Sequence, residues 1–109
     1  MIANTPPPPY YAVIFSSIRN PLEDQGYADM AEAMETLARR QPGYLGFETA
    51  RSETGISVSY WANTEAIIHW KQQAEHLLAQ RFGKEKWYLQ YKVRVCLVER
   101  DYFFNKIPA

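Results

Sequence analysis

Cysteine is almost missing from this sequence. Cys96 stands alone among 109 residues, so one chain can form neither an internal disulfide nor a thiolate metal cluster, and a reducing compartment is expected. Excess charge of either sign is also missing, with twelve Lys plus Arg against twelve Asp plus Glu. Binding to nucleic acid or to an anionic membrane normally needs a basic surplus, so neither is expected as a partner. Nowhere do about eighteen apolar residues follow one another. The N-terminal residues lack the basic start and apolar run of a secretory signal, which makes a soluble, cytoplasmic protein the expectation. There is no phosphate-binding glycine loop, no dinucleotide fingerprint and no Gly-x-Ser-x-Gly elbow, so nucleotide chemistry and serine hydrolysis find no support.

What the sequence has in quantity is aromatic: eight Tyr, five Phe and three Trp. A chain of this length makes one domain and buries roughly two-thirds of its unfolded surface. Pro6 to Pro9 fix φ and remove backbone donors, so residues 1–9 read as a stiff, proline-rich lead-in that cannot join a sheet, with the single domain spanning 10–104 and a tail over 105–109.

Tyr11, Val13 and Phe15 alternate with Ala12, Ile14 and Ile18, predicting a strand over Tyr10 to Arg19 that is apolar on both faces. Asn20-Pro21 ends it. From about Asp24 the spacing becomes helical through Tyr27, Met30, Met34 and Leu37, closing at Gln41-Pro42-Gly43. Tyr44 to Arg51 and Ile56 to Trp61 flank Ser52-Glu53-Thr54-Gly55 as a hairpin. Asn63 or Thr64 caps a second helix whose stripe is Ile67, Trp70, Ala74, Leu77 and Leu78, running until Gly83. Tyr91, Val93, Val95 and Leu97 then alternate with Lys92, Arg94, Cys96 and Val98 in the last strand.

The order β-α-β-β-α-β predicts an α+β, ferredoxin-like fold with two helices on one face of a four-stranded antiparallel sheet. The other face keeps apolar side chains, and a homodimer that buries sheet against sheet is the simplest way to cover them.

The run Tyr11-Ala12-Val13-Ile14-Phe15, the segment from Pro42-Gly43-Tyr44 to Thr49-Ala50-Arg51, and Val58-Ser59-Tyr60-Trp61 resemble the antibiotic biosynthesis monooxygenase family. Trp70-Lys71, Glu75-His76-Leu77, Trp87-Tyr88 and Arg94-Val95-Cys96 continue the likeness, which covers about residues 10 to 100. The resemblance implies a dimeric α+β barrel with a cavity between sheet and helices in each subunit. It also implies an activity: oxygenases of this family oxidise aromatic polyketides without bound metal or flavin, and one branch degrades haem. That branch uses a strand-one Asn, a helix-two Trp and a haem-ligating His. Trp70 matches the Trp, but the His position falls near Gln80 and Ile14 to Ile18 contain no Asn, so haem is disfavoured and no cofactor is expected.

Of the candidate site residues, His76 is the one able to take a phenolic proton near neutral pH if its helix turns it toward the cavity; otherwise it is a surface residue. His69 lies seven residues away, about 10.5 Å along the axis, too far to share a metal with it. Trp70 is either core or a flat wall for an aromatic substrate. Tyr60, Trp61 and Tyr88 invite the same comparison, beside Trp87 and Tyr91. One of Ser16 and Ser17 must face the helices and needs a partner there. Arg94 is an anion partner if it points inward and a rim residue if it does not. The expected function is a cofactor-independent monooxygenase acting on a small aromatic or quinol-like molecule, with a noncatalytic dimer that binds a hydrophobic ligand or a partner as the alternative.

Overall fold

A computed structural model describes residues 1–21, 26–80 and 87–108. The elements are β1 (Tyr10–Arg19), α1 (Tyr27–Arg39), β2 (Tyr44–Arg51), β3 (Gly55–Trp61), α2 (Thr64–Gln80) and β4 (Tyr88–Val98), in the expected β-α-β-β-α-β order. The expected helix start near Asp24 and end at Gly83 lie outside the described residues. All pairings are antiparallel in the order β2-β3-β1-β4, so β1 is central and β4 is an edge. β4 begins three residues earlier than its alternation suggests. A register shift at Ile18/Arg19 lets Gln90 and Tyr88 pair with β1, and Leu89 in between breaks the period-two pattern.

Side chains directly opposite one another on paired strands share a face. Tyr11, Val13, Phe15 and Ser17 therefore lie on one side with Trp61, Ser59, Ser57 and Gly55 of β3 and with Leu97, Val95, Val93 and Tyr91 of β4. This is the helix side: Val13 and Trp61 pack with Ala38 of α1 and Ile67 of α2, and Tyr11, Tyr44, Ala66 and Trp70 close around them. Asn63 is the α2 cap, its Oδ1 accepting the Ala66 N–H at 2.8 Å. Among the described helices, none is long and apolar enough to cross a membrane.

The helices cover less of the sheet than the sequence pattern suggests. They sit on the β2 and β3 side, and the β4 residues Tyr91, Val93, Val95 and Leu97 stay 38%, 48%, 54% and 49% exposed although they point to the helix side. The opposite face is in turn partly covered by the chain itself. The Ala3 N–H donates to Glu48 Oε2 at 2.8 Å, and Glu48 Oε1 takes the Tyr60 hydroxyl at 2.7 Å. Thr5 Oγ1 donates to Tyr10 Oη, which itself donates to Asp101 Oδ2. A Cβ on Gly46 would come within 2.9 Å of Ala3, so the lead-in crosses β2 where only glycine leaves room. The proline segment does stay out of the ladder, but the residues before it pack on the sheet rather than hang free.

Trp61 is wholly buried and its Nε1 donates to Ser59 Oγ at 2.8 Å. Trp61→Ala is expected to cost about 3–5 kcal/mol in urea unfolding. Deleting residues 1–5 and replacing Glu48 by Ala should each destabilise by about 1–3 kcal/mol, and the combination should cost clearly less than their sum because both act through one carboxylate.

Candidate functional site

The residues selected from sequence point to two faces of the sheet and do not form one common site. Trp61, Trp70, Ser17 and Tyr88 lie on the helix side, whereas Ser16, Tyr60 and Arg94 lie on the helix-free side. Ser16, Ser17 and Arg94 all border one open depression of about 410 Å³, lined also by Ile18, Thr54, Gln90, Tyr91 and Lys92. Arg94 thus points away from the helix-side core and is exposed. Tyr60 is tied to Glu48. His69 and His76 are both exposed. His76 follows Glu75 on the outer side of α2, because Ala74 and Leu77 take the inward positions of that turn. In a single subunit the geometry gives it no substrate-facing role.

The helix side is where aromatic surface and polar groups come together. Phe15 stacks on Tyr91 with ring centroids 5.2 Å apart and meets the edge of Tyr88 at 5.3 Å, while Tyr88 and Tyr91 are 5.8 Å apart. Tyr27, the first residue of α1, joins this group by edge contacts with Tyr88 at 6.0 Å and with Trp87 at 6.1 Å. These rings continue into the exposed β4 row Val93, Val95 and Leu97, an apolar strip (hereafter the trough) that reaches the β4 edge. Deeper in, Trp61 lies 5.4 Å from Trp70. The Trp70 indole N–H is buried without a hydrogen-bond partner, whereas that of Trp61 is satisfied by Ser59.

One residue absent from the sequence selection organises the upper end. Arg51 Nη2 donates to Ser17 Oγ at 2.9 Å and to Tyr27 Oη at 3.1 Å, which answers the question of what satisfies the buried Ser17. Its Cζ lies 5.5 Å from the Tyr27 ring centre, and Arg19 Cζ lies 4.0 Å from it. Gly55 makes this possible, since a Cβ there would overlap the guanidinium. The available signal was the glycine ending Ser52-Glu53-Thr54-Gly55: it faces Arg51 across the hairpin, and a glycine inside a ladder marks a close approach.

The hydroxyls of the site are donors rather than bases. Burial, reinforced by a hydrogen bond and charge interaction with Tyr27, pushes the Tyr88 phenol well above its ordinary value, with Arg51 pulling the other way. Burial and then Glu48 do the same to Tyr60, and the hydrogen bond to Asp101 raises Tyr10. No three His, Cys, Asp or Glu side chains among the described residues come together as a metal site.

A phenol whose pKa is raised on folding keeps its proton while the unfolded chain loses it. Stability should therefore fall as pH climbs through about 10, the unfolded tyrosine value. Absorbance titration at 295 nm should show tyrosines ionising well above that pH. Replacing Tyr88 or Tyr60 by Phe should remove part of this late-titrating group and soften the alkaline loss.

The sequence profile of antibiotic biosynthesis monooxygenases matches residues 9–81. The uncharacterized protein YqjZ of Bacillus subtilis is 47% identical over 107 residues, covering 96% of this chain and 93% of its own. Among solved structures, a point variant of SnoaB, a cofactor-independent oxygenase from Streptomyces nogalater, superposes with a TM-score of 0.71 at 9% identity, over 86% of this chain and 97% of that one. PA3566 from Pseudomonas aeruginosa does so with a TM-score of 0.66 at 16% identity, over 87% and 97%. At these identities the structural matches speak to the fold.

Proposed function

The chain belongs to the antibiotic biosynthesis monooxygenase family, and from that membership we propose that it is a cofactor-independent monooxygenase that oxidises a small aromatic or quinol-like molecule with dioxygen. The observation that carries the reading is the helix-side trough, where Phe15, Tyr88 and Tyr91 offer ring faces and edges beside the Arg51 guanidinium. SnoaB, a cofactor-independent oxygenase of the same fold, supports it.

The reaction needs an electron-rich substrate that loses a proton to become a phenolate or enolate, which then reduces dioxygen directly. With an anthrone, one oxygen atom enters at the ring carbon as its CH₂ becomes C=O; with a hydroquinone, a ring C–H becomes C–OH and the ring leaves as the quinone. The other leaves as water with the two hydrogens removed, so the substrate supplies all the electrons. The protein's share is to bind the ring system, to favour the anion electrostatically and to keep water from the oxygenated intermediate. Tyr88 retains its proton at neutral pH and so brings no negative charge to the site in this scheme.

The same reading makes the protein a homodimer. Tyr91, Val93, Val95 and Leu97 form one exposed apolar row, Ile56 adds another exposed apolar side chain on the opposite face, and Tyr102, Phe103, Phe104 and Ile107, after β4, are 98%, 72%, 81% and 79% exposed. Water-soluble monomers do not normally leave patches of this kind uncovered.

Oxygen uptake with a panel of hydroquinones and anthrones tests the activity. Consumption above the autoxidation rate, with one atom of labelled dioxygen found in the product, is the expected result, and His76→Ala should retain it within about twofold. Ligand binding without uptake would instead make the chain a noncatalytic binding protein. Sedimentation equilibrium at micromolar concentration should give the dimer mass, and Val95→Glu should shift it toward monomer by placing a charge in the buried apolar row.

A further inference from the structure

Arg51 is the last residue of β2, and its side chain crosses the hairpin to β1 and α1. Among the described residues both of its hydrogen bonds go through Nη2, to hydroxyls that carry no charge, and the hydrogens on Nη1 and Nε have no acceptor there. One of those hydroxyls belongs to Ser17, which is 2% exposed, so the guanidinium is anchored at the trough wall. Among the described residues no carboxylate lies in ion-pair range of it. Tyr27 begins α1 after Gly26, which gives the helix no side-chain cap, and Asp29 is the acid of its first turn; through the Tyr27 hydroxyl the start of this helix lies beside the guanidinium. An arginine fork, a helix start and hydroxyl donors next to aromatic rings recognise one kind of group well, a planar anion attached to an aromatic body.

We infer that Arg51, seated over Gly55 and held by Ser17 and Tyr27, is the subsite for a carboxylate or phenolate borne by the aromatic ligand of the trough. Tyr27 links the charged and apolar halves. It hydrogen-bonds Arg51 and meets the edge of Tyr88, which in turn packs with Phe15 and Tyr91. A ligand with its anionic group on Arg51 lays its rings along Tyr88 and Tyr91. The oxygenase reading supplies only the aromatic body of this ligand; its anionic group is argued from Arg51 alone. In that reaction, where the bound anion is the reacting phenolate itself, the subsite favours the ionised substrate and lessens the need for a strong protein base; where it is a carboxylate, the subsite orients the ring.

Calorimetric titration with 1-hydroxy-2-naphthoate and with its uncharged amide, at low salt, tests the subsite without any turnover. The wild type should favour the carboxylate by about tenfold or more. Arg51→Gln should bind both probes equally, with its affinity for the amide unchanged, which shows that the trough itself is intact. Gly55→Ala keeps the net charge but displaces the guanidinium, and it should lose the preference as well. Equal affinities in the wild type, a preference that survives in Arg51→Gln, or no binding of either probe at millimolar concentration would each overturn the inference. A protein that prefers the carboxylate but consumes no oxygen keeps the subsite and loses the oxygenase reading. One that oxidises hydroquinones without any preference keeps the activity and loses the subsite.

Discussion

Strand β1 is hydrogen-bonded along both edges, to β3 and to β4, and its period of two decides which side of the sheet every neighbouring side chain occupies. Tyr11, Val13, Phe15 and Ser17 lie under or beside the helices, while Tyr10, Ala12, Ile14 and Ser16 face the other way. A slip of one residue would exchange the two sets. It would set Tyr10 and Ala12 against the helices, strand Val13 away from Ala38 and Ile67, and break the Arg51 bond to Ser17. The Glu48 bridge between Tyr60 and the lead-in rests on the same register, because it holds only while Tyr60 and Glu48 share the helix-free face. Core, lead-in and candidate site therefore stand on one alignment.

The architecture was legible because β1, α1, α2 and the hairpin each carry an unambiguous period or turn signal. Met30 at 1% and Ile67 at 7% exposure sit where helical spacing places inward residues, and Ala38, beside the stripe residue Leu37, is buried with them. The site was less legible, for a geometric reason. Neighbouring strand residues point in opposite directions, so Ser16 and Ser17 look equivalent in the chain yet lie on different faces. Arg51 and Gly55 carry no local signal of function; only closing the hairpin brings the guanidinium over the glycine. The lead-in was read from its prolines alone, while its sheet contacts come from Ala3 and Thr5 on their N-terminal side. Exposure of the β4 row could not be read either, since alternation tells which residues share a face but not how far the helices extend across it.

Two cations gather at the upper end of the helix side. Arg51 and Arg19 both approach the Tyr27 ring, and the raised Tyr88 phenol adds a neutral donor rather than a negative charge. The helix-free side answers with acids, Glu48 and Asp101, each committed to a tyrosine hydroxyl. This division gives the two faces different work. Carboxylate and phenol pairs on one side hold the termini against the sheet, while the other side gathers the cationic and aromatic groups on which the proposed anion subsite rests.

The apolar β4 row connects assembly to chemistry. In a single chain Val93, Val95 and Leu97 are about half exposed, so the floor of the trough is wet at that edge. A direct reaction of a substrate anion with dioxygen passes through an oxygenated intermediate that water and stray protons divert, and it needs dry walls. The electrostatic worth of Arg51 also depends on exclusion of water: at equal distance a charge interaction is several times weaker in bulk solvent than at a protein surface or interior. A partner subunit laid on the β4 row would remove apolar area from water and raise the field at Arg51 in the same step. Dimer stability and catalytic competence would then share one surface, so a substitution in that row that weakens association should also weaken selection of the anionic substrate, although it touches neither Arg51 nor Ser17.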